Sequence, residues 1–285
     1  MATVSLRPTL RFDGTLAEGL LLWAVILFSA AAALGFAIFG VRPELLAAVP
    51  WSIPFFTFSF RLFSIGQIVL AAGALMVLLL LRESFRWIPA FLTVYVISLA
   101  SELSGTQVGF PFGPYHYTPT LGARWFDLVP VVIPLSWFMM AIPSYFLALR
   151  ITPDRGPVVR IALGALILTA WDLALDPAMS YATTYWRWEV DGLYYGMPWV
   201  NVAGWLFTST LLMIALFLLR SDEWISRLPG SWVLVFYGVN VLLPLAMALA
   251  AGLFWAVALT VAAYALLVGI AWLLCRDLLA EPVTA

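Results

Sequence analysis

Two aspartates four residues apart, Asp172 and Asp176 in TAWDLALDP (169–177), sit inside an otherwise apolar run. On a helix this spacing puts both carboxylates on one face. Two like charges in a low-dielectric setting cannot both ionise cheaply, so such a pair retains a proton near neutral pH. That is what a general acid requires. An acid within a membrane-crossing run is costly and marks a functional position by default. The plainer alternative is that Asp176 caps a helix end at the Pro177 turn while Asp172 pairs with an arginine.

A third acid, Glu102 in SLASELSG (98–105), closes another apolar run. It can supply or relay a proton, or bond backbone at the interface. The sole histidine, His116, lies between Tyr115 and Tyr117 in GFPFGPYHYTPTLG (109–122). Its aromatic setting, bounded by Gly and Pro, makes it a catalytic candidate. Tyr115 and Tyr117 read as substrate contacts or as interface-belt aromatics. In YWRWEVDGLYYGMPWVNVAGW (185–205), Asn201 can orient a water or bond a carboxylate. Tyr194, Tyr195 and Trp199 read as packing or as the wall of an apolar channel. Trp137, beside Met139 and Met140, reads as helix packing or as a further substrate contact. Arg187, Glu189 and Asp191 read as a solvated loop cluster.

The elements that must position these groups follow from composition. The chain has 285 residues, 64% hydrophobic and 10% charged, with mean hydropathy +1.02. Soluble domains average about 45–50% apolar and about 25% charged. The chain is therefore expected to be an all-α polytopic membrane bundle. Apolar runs predict eight spans, at 19–40, 61–81, 87–103, 129–149, 158–176, 200–219, 231–250 and 253–274. The last two come from splitting one long run near 250–252; unsplit, the total is seven. The spans leave no room for a separate soluble domain, so residues 1–285 form a single membrane domain. The polar start and long first run read as a transmembrane helix rather than a cleavable signal. Two loops, 104–128 and 177–199, are dense in Gly, Pro, Tyr and Trp and fall on the same side of the eight-span arrangement. They read as interfacial packing or re-entrant backbone lining a cavity.

All 14 basic residues are arginine, and the net charge is −1. Ten of them, including Arg7, Arg11 and Arg276, fall on one side and four on the other, which predicts cytoplasmic termini. With no basic stripe, nucleic acid is not an expected partner. With no lysine, Schiff-base chemistry is excluded. One cysteine, Cys275, and one histidine make a zinc or iron–sulfur site improbable, and Cys275 reads as packing. The chain has no Walker loop, dinucleotide fingerprint, histidine box or nucleophile elbow.

The same strings carry a family resemblance. E-x-x-G-x-x-x-G-x-P-F-G-x-Y-x-Y runs from Glu102 to Tyr117, and P-L-S-W-F-M-M occupies 134–140. D-L-x-L-D-P-x-M runs from Asp172 to Met179, and W-x-W occupies 186–188. G-x-Y-Y-G-x-P-x-x-N runs from Gly192 to Asn201, followed by G-W at 204–205. This middle third of the chain resembles the integral-membrane carotenoid hydratases of bacteria and archaea, which include the carotenoid 1′,2′-hydratases and the bisanhydrobacterioruberin hydratases. The resemblance implies a bacterial or archaeal cell-membrane enzyme and a lipid-soluble carotenoid substrate. It implies hydration of a terminal double bond without cofactor or metal. On that reading Asp172 or Asp176 donates the proton. The other carboxylate, with Asn201 or Glu102, orients water, and loop Tyr and Trp flank the cation.

Three other readings fit some of the residues. A membrane polyprenyl transferase would use the aspartate pair for magnesium diphosphate, but a second aspartate-rich stretch is missing. A carotenoid end-group cyclase would share the carbocation. A carotenoid-binding or transport protein would use the buried acids as a relay, though no inverted repeat supports a transporter.

Overall fold

The structure, a computed structural model, describes residues 15–280, with side chains to residue 274. Arg7 and Arg11, and the side chains of Cys275 and Arg276, lie outside the described residues. In chain order, α1 (Leu16–Gly35) runs into a π-helical turn, Phe36–Gly40, and then the short α2 (Pro43–Ala47). α3 (Ile53–Glu83) and α4 (Ile88–Val108) follow. The first long loop holds β1 (Tyr115–Tyr117), β2 (Arg124–Trp125) and β3 (Val129–Pro130). α5 (Ile133–Ile151) precedes α6 (Pro157–Asp176), which continues through a π-helical turn, Pro177–Ala182. The second long loop holds β4 (Trp186–Trp188), and α7 (Val200–Leu218), α8 (Asp222–Ile225), α9 (Gly230–Ala250) and α10 (Phe254–Ala280) complete the described residues.

Eight of the helices are long and apolar enough to cross a membrane, and the fold is an all-α polytopic bundle. The largest departures from the expected boundaries are in the second and fifth spans. The second span begins at Pro50, not 61, because Arg61 lies on an exposed face near the helix's start. There its long side chain can reach the interface without interrupting the helix. The fifth span continues past Pro177 to Ala182. A π turn widens the backbone where proline removes a donor.

α5 is apolar on all sides and is the most buried span, which suits a central helix. α6 packs against α5, α7, α9 and α10, α1 packs against α3 and α9, and α4 packs against α5 and α7. α10 is peripheral, with Val261, Leu266 and Val268 exposed toward lipid.

At the end bearing the α1 N-terminus, Thr15 and Glu18 form a capping box. Arg82 Nη2 donates to Glu18 Oε2 at 2.7 Å, Arg227 pairs with Glu83, and Arg160 pairs with Asp222. These bridges tie α1 to α3, α3 to the α8–α9 connection, and α6 to α8. The opposite end carries the two aromatic loops, joined by antiparallel pairing of β1 with β4.

Candidate active site

The β1–β4 ribbon explains how the loops reach the membrane acids. Side chains alternate across a strand. Tyr115 and Tyr117 therefore face inward while His116 faces out, and on β4 Trp186 and Trp188 turn inward while Arg187 faces out. The register sets Tyr115 opposite Trp188 and Tyr117 opposite Trp186, with ring centroids 5.2 and 5.9 Å apart. Each ring also presents a polar tip. The Tyr117 hydroxyl donates to Glu102 Oε2 at 2.8 Å, and the Tyr115 hydroxyl donates to the same oxygen. The Trp188 and Trp186 indoles donate to Asp176 Oδ1 at 3.1 Å and Oδ2 at 3.2 Å. One strand thus serves Glu102 and the other Asp176.

Helices supply the remaining partners. From α5, Trp137 Nε1 donates to Glu102 Oε1 at 2.8 Å, and its ring stacks on Trp205 of α7 at 4.1 Å. Ser180 Oγ, in the π turn, donates to Asp176 Oδ1 at 2.8 Å. Asn201, in the first turn of α7, donates through Nδ2 to Asp172 Oδ2 at 2.9 Å and Asp176 Oδ2 at 3.3 Å. The Asp172–Asp176 spacing therefore does place both carboxylates on one face, joined by one amide. Glu102, Asp172, Asp176 and Asn201 are all buried. Asp172 Oδ1 is buried with no hydrogen-bond partner among the described residues.

Burial and the Glu102 charge push the Tyr115 and Tyr117 hydroxyls well above the ordinary phenol range. Both stay neutral donors at any physiological pH. Among the described residues, no three His, Cys, Asp or Glu side chains come together to hold a metal ion.

A small pocket of about 40 Å³ lies between these groups, with Glu102, Asp176, Asn201, Trp186 and Trp188 on its wall. Ile133, Ser136, Leu175 and Trp186 also line a second cavity of about 370 Å³. That larger space is almost wholly apolar and is bounded by α1, α3, α5, α6 and α9.

Of the residues singled out in the sequence, Asp172, Asp176, Glu102, Asn201, Tyr115, Tyr117 and Trp137 come together. His116 does not: its side chain is 57% exposed and its Nδ1 is 3.2 Å from Glu189 on the outer face of the ribbon. Tyr194, Tyr195 and Trp199 form a separate aromatic group. Tyr194 stacks on Trp199 at 5.2 Å and donates to the Leu173 carbonyl at 2.6 Å. Trp186, Trp188, Trp205 and Ser180 join the site without having been singled out as site residues. The signal for the two β4 indoles was the W-R-W alternation, which repeats the Y-H-Y pattern of the partner strand.

Two glycines allow this packing. A Cβ at Gly105 would lie 2.9 Å from both the Phe112 and Tyr115 rings, and one at Gly204 would lie 2.6 Å from the Pro111 carbonyl oxygen. Phe112, on the small pocket's wall, is thus held between α4 and α7. Gly204→Ala meets backbone that cannot swing aside. Overpacking of this kind costs about 1–3 kcal/mol, so thermal unfolding in detergent is expected several degrees below wild type. An unchanged midpoint would contradict the close approach.

A family model described as carotenoid biosynthesis protein matches residues 63–268, a stretch that holds every residue of the site. Bisanhydrobacterioruberin hydratase of Haloarcula japonica is 30% identical over 177 residues, 61% of this chain and 56% of that relative. The chain thus matches little more than half of the relative's length. No solved structure matches the chain. With the acids and their aromatic donors all inside the matched segment, the chain belongs to the carotenoid biosynthesis protein family.

Proposed function

We propose that the protein is a carotenoid hydratase, adding water to the terminal C1′=C2′ double bond of a linear or monocyclic carotenoid to give a tertiary alcohol. One observation carries this reading: buried carboxylates meet an aromatic pocket that adjoins an apolar, membrane-embedded cavity. A polyene end held in the cavity reaches the acids past Leu175 and Trp186. The relative's name, a hydratase of a carotenoid, points the same way.

The Asp172–Asp176 pair delivers the proton to C2′, the less substituted carbon, with Asp176 on the pocket wall and Asp172 behind it. The π electrons form the new C–H bond and leave a tertiary cation at C1′. The faces of Trp186, Trp188, Tyr115 and Tyr117 stabilise that charge. A water oriented by Glu102 and Asn201 forms the C–O bond, and its proton passes to Glu102. That proton is returned to the aspartate pair between turnovers. Alkene plus water gives alcohol with no net electron transfer, so the scheme needs no redox cofactor. Both termini lie in the cytoplasm and the site lies toward the opposite face, following the arginine bias.

The test is co-expression in a host that makes linear carotenoids, with pigments separated and weighed by mass spectrometry. The expected result is a pigment heavier by one water, carrying label from heavy-oxygen water. Unchanged mass with altered retention would replace the proposal with cyclisation, and added prenyl units would replace it with transfer. Unaltered pigment, with expression verified, would leave carotenoid binding or transport.

A further inference from the structure

The shape of the large cavity limits how a substrate enters. Gly35, Phe39 and Phe55 line its outer part, and Phe39 and Phe55 are 40% and 72% exposed on the lipid-facing surface. Trp171 and Trp186 line its inner part and are buried. Along α3 the lining runs from Phe55 to Ile68, about 20 Å at a helical rise of 1.5 Å per residue. An extended chain advances about 1.2 Å per backbone bond, since three bonds span roughly 3.3–3.6 Å. The depth therefore takes about sixteen chain carbons.

We infer that the protein takes a long polyene end-first through a mouth between the Phe36–Gly40 turn and the start of α3, encloses only its terminal segment, and leaves the rest in the bilayer. This rests on the hydratase reading. Carbons beyond the enclosed segment meet no specific wall, so the far end of the substrate is not selected. A substrate with two reactive ends must leave, turn and re-enter before its second end reacts. Gly35 sets the bore of the mouth. A Cβ there meets nothing within 4 Å, so a larger side chain fills open space without displacing a packed neighbour.

The experiment uses the full chain in lipid nanodiscs, given an excess of a linear carotenoid with two identical ends. At early conversion the product is expected to be almost wholly the singly hydrated species, with the doubly hydrated one following later. Doubly hydrated product from the outset would overturn end-first entry while leaving the hydratase reading intact. No hydrated product at all would overturn the hydratase reading, and this inference with it. Gly35→Phe is expected to slow hydration of the long substrate about tenfold or more, because displacement of a reacting end by an ångström already costs about a hundredfold. Gly35→Leu should fall between it and wild type. A terminal alkene short enough to lie wholly inside leaves no chain in the mouth, so its rate should fall less. Equal losses on both substrates, or no loss on either, would overturn the placement of the mouth.

Discussion

Asp176→Asn is expected to abolish hydration in a carotenoid-producing host, a fall of about 10²–10⁴-fold, the range that general acid–base groups contribute. The substitution keeps the side chain's size and removes its proton chemistry. It also turns an amide NH2 toward a wall of donors. Ser180 and Trp188 donate to one oxygen of Asp176, Trp186 and Asn201 to the other, and an amide nitrogen can accept from neither set. Some loss of stability, about 1–3 kcal/mol, should accompany the loss of activity, and a melting curve separates the two. Asp172→Asn differs in that respect. Asp172 receives one hydrogen bond, from Asn201, and its second oxygen has no partner among the described residues. An amide fits there at little cost. If the two aspartates hold and deliver the proton as a unit, Asp172→Asn is as inactive as Asp176→Asn, and the double variant is no worse than either single one. Full hydration by both single variants would remove the pair from the mechanism.

The parts of this site visible in the sequence were those fixed by local geometry. The spacing of Asp172 and Asp176 needs only a helix, and the eight apolar runs need only a membrane. The donors to Asp176 were not visible in that way. Trp186 and Trp188 reach it because β4 pairs with β1, about seventy residues earlier in the chain, and nothing local specifies that register. The same pairing decides His116. An uncommon residue between two tyrosines invites a catalytic role, yet strand alternation commits it to the face opposite theirs. Tyr194, Tyr195 and Trp199 share the composition of the site aromatics. A tight turn, with bridges between Gly192 and Gly196 and between Tyr194 and Met197, directs them elsewhere. Pro177 predicts a helix end, since proline usually stops a helix, whereas a π turn carries the helix on to Ala182 and brings Ser180 beneath Asp176.

Glu102→Gln should separate the two halves of the reaction. Glu102 stands on α4, away from the aspartates on α6, and accepts from Tyr115, Tyr117 and Trp137. Three donors on one carboxylate fix both of its oxygens as acceptors. In the proposed scheme Glu102, on the wall of the small pocket, orients the water and takes its proton. Glutamine cannot take up that proton, so hydration is expected to fall about 10²-fold or more, mainly in kcat because the apolar cavity that binds the chain is unaltered. Protonation of the alkene should survive. A cation that finds no activated water loses a proton from C2′ and returns to the alkene. In heavy water this leaves deuterium at that carbon without any gain in oxygen. The expected signature of Glu102→Gln is thus deuterium exchange into recovered substrate with little alcohol formed, whereas the aspartate variants show neither. Single replacement of Tyr115 or Tyr117 by Phe leaves two donors on Glu102 and should give a smaller loss in the same direction. If Glu102→Gln abolishes exchange together with hydration, Glu102 belongs to proton delivery, and water capture falls to the Asp176–Asn201 side of the pocket.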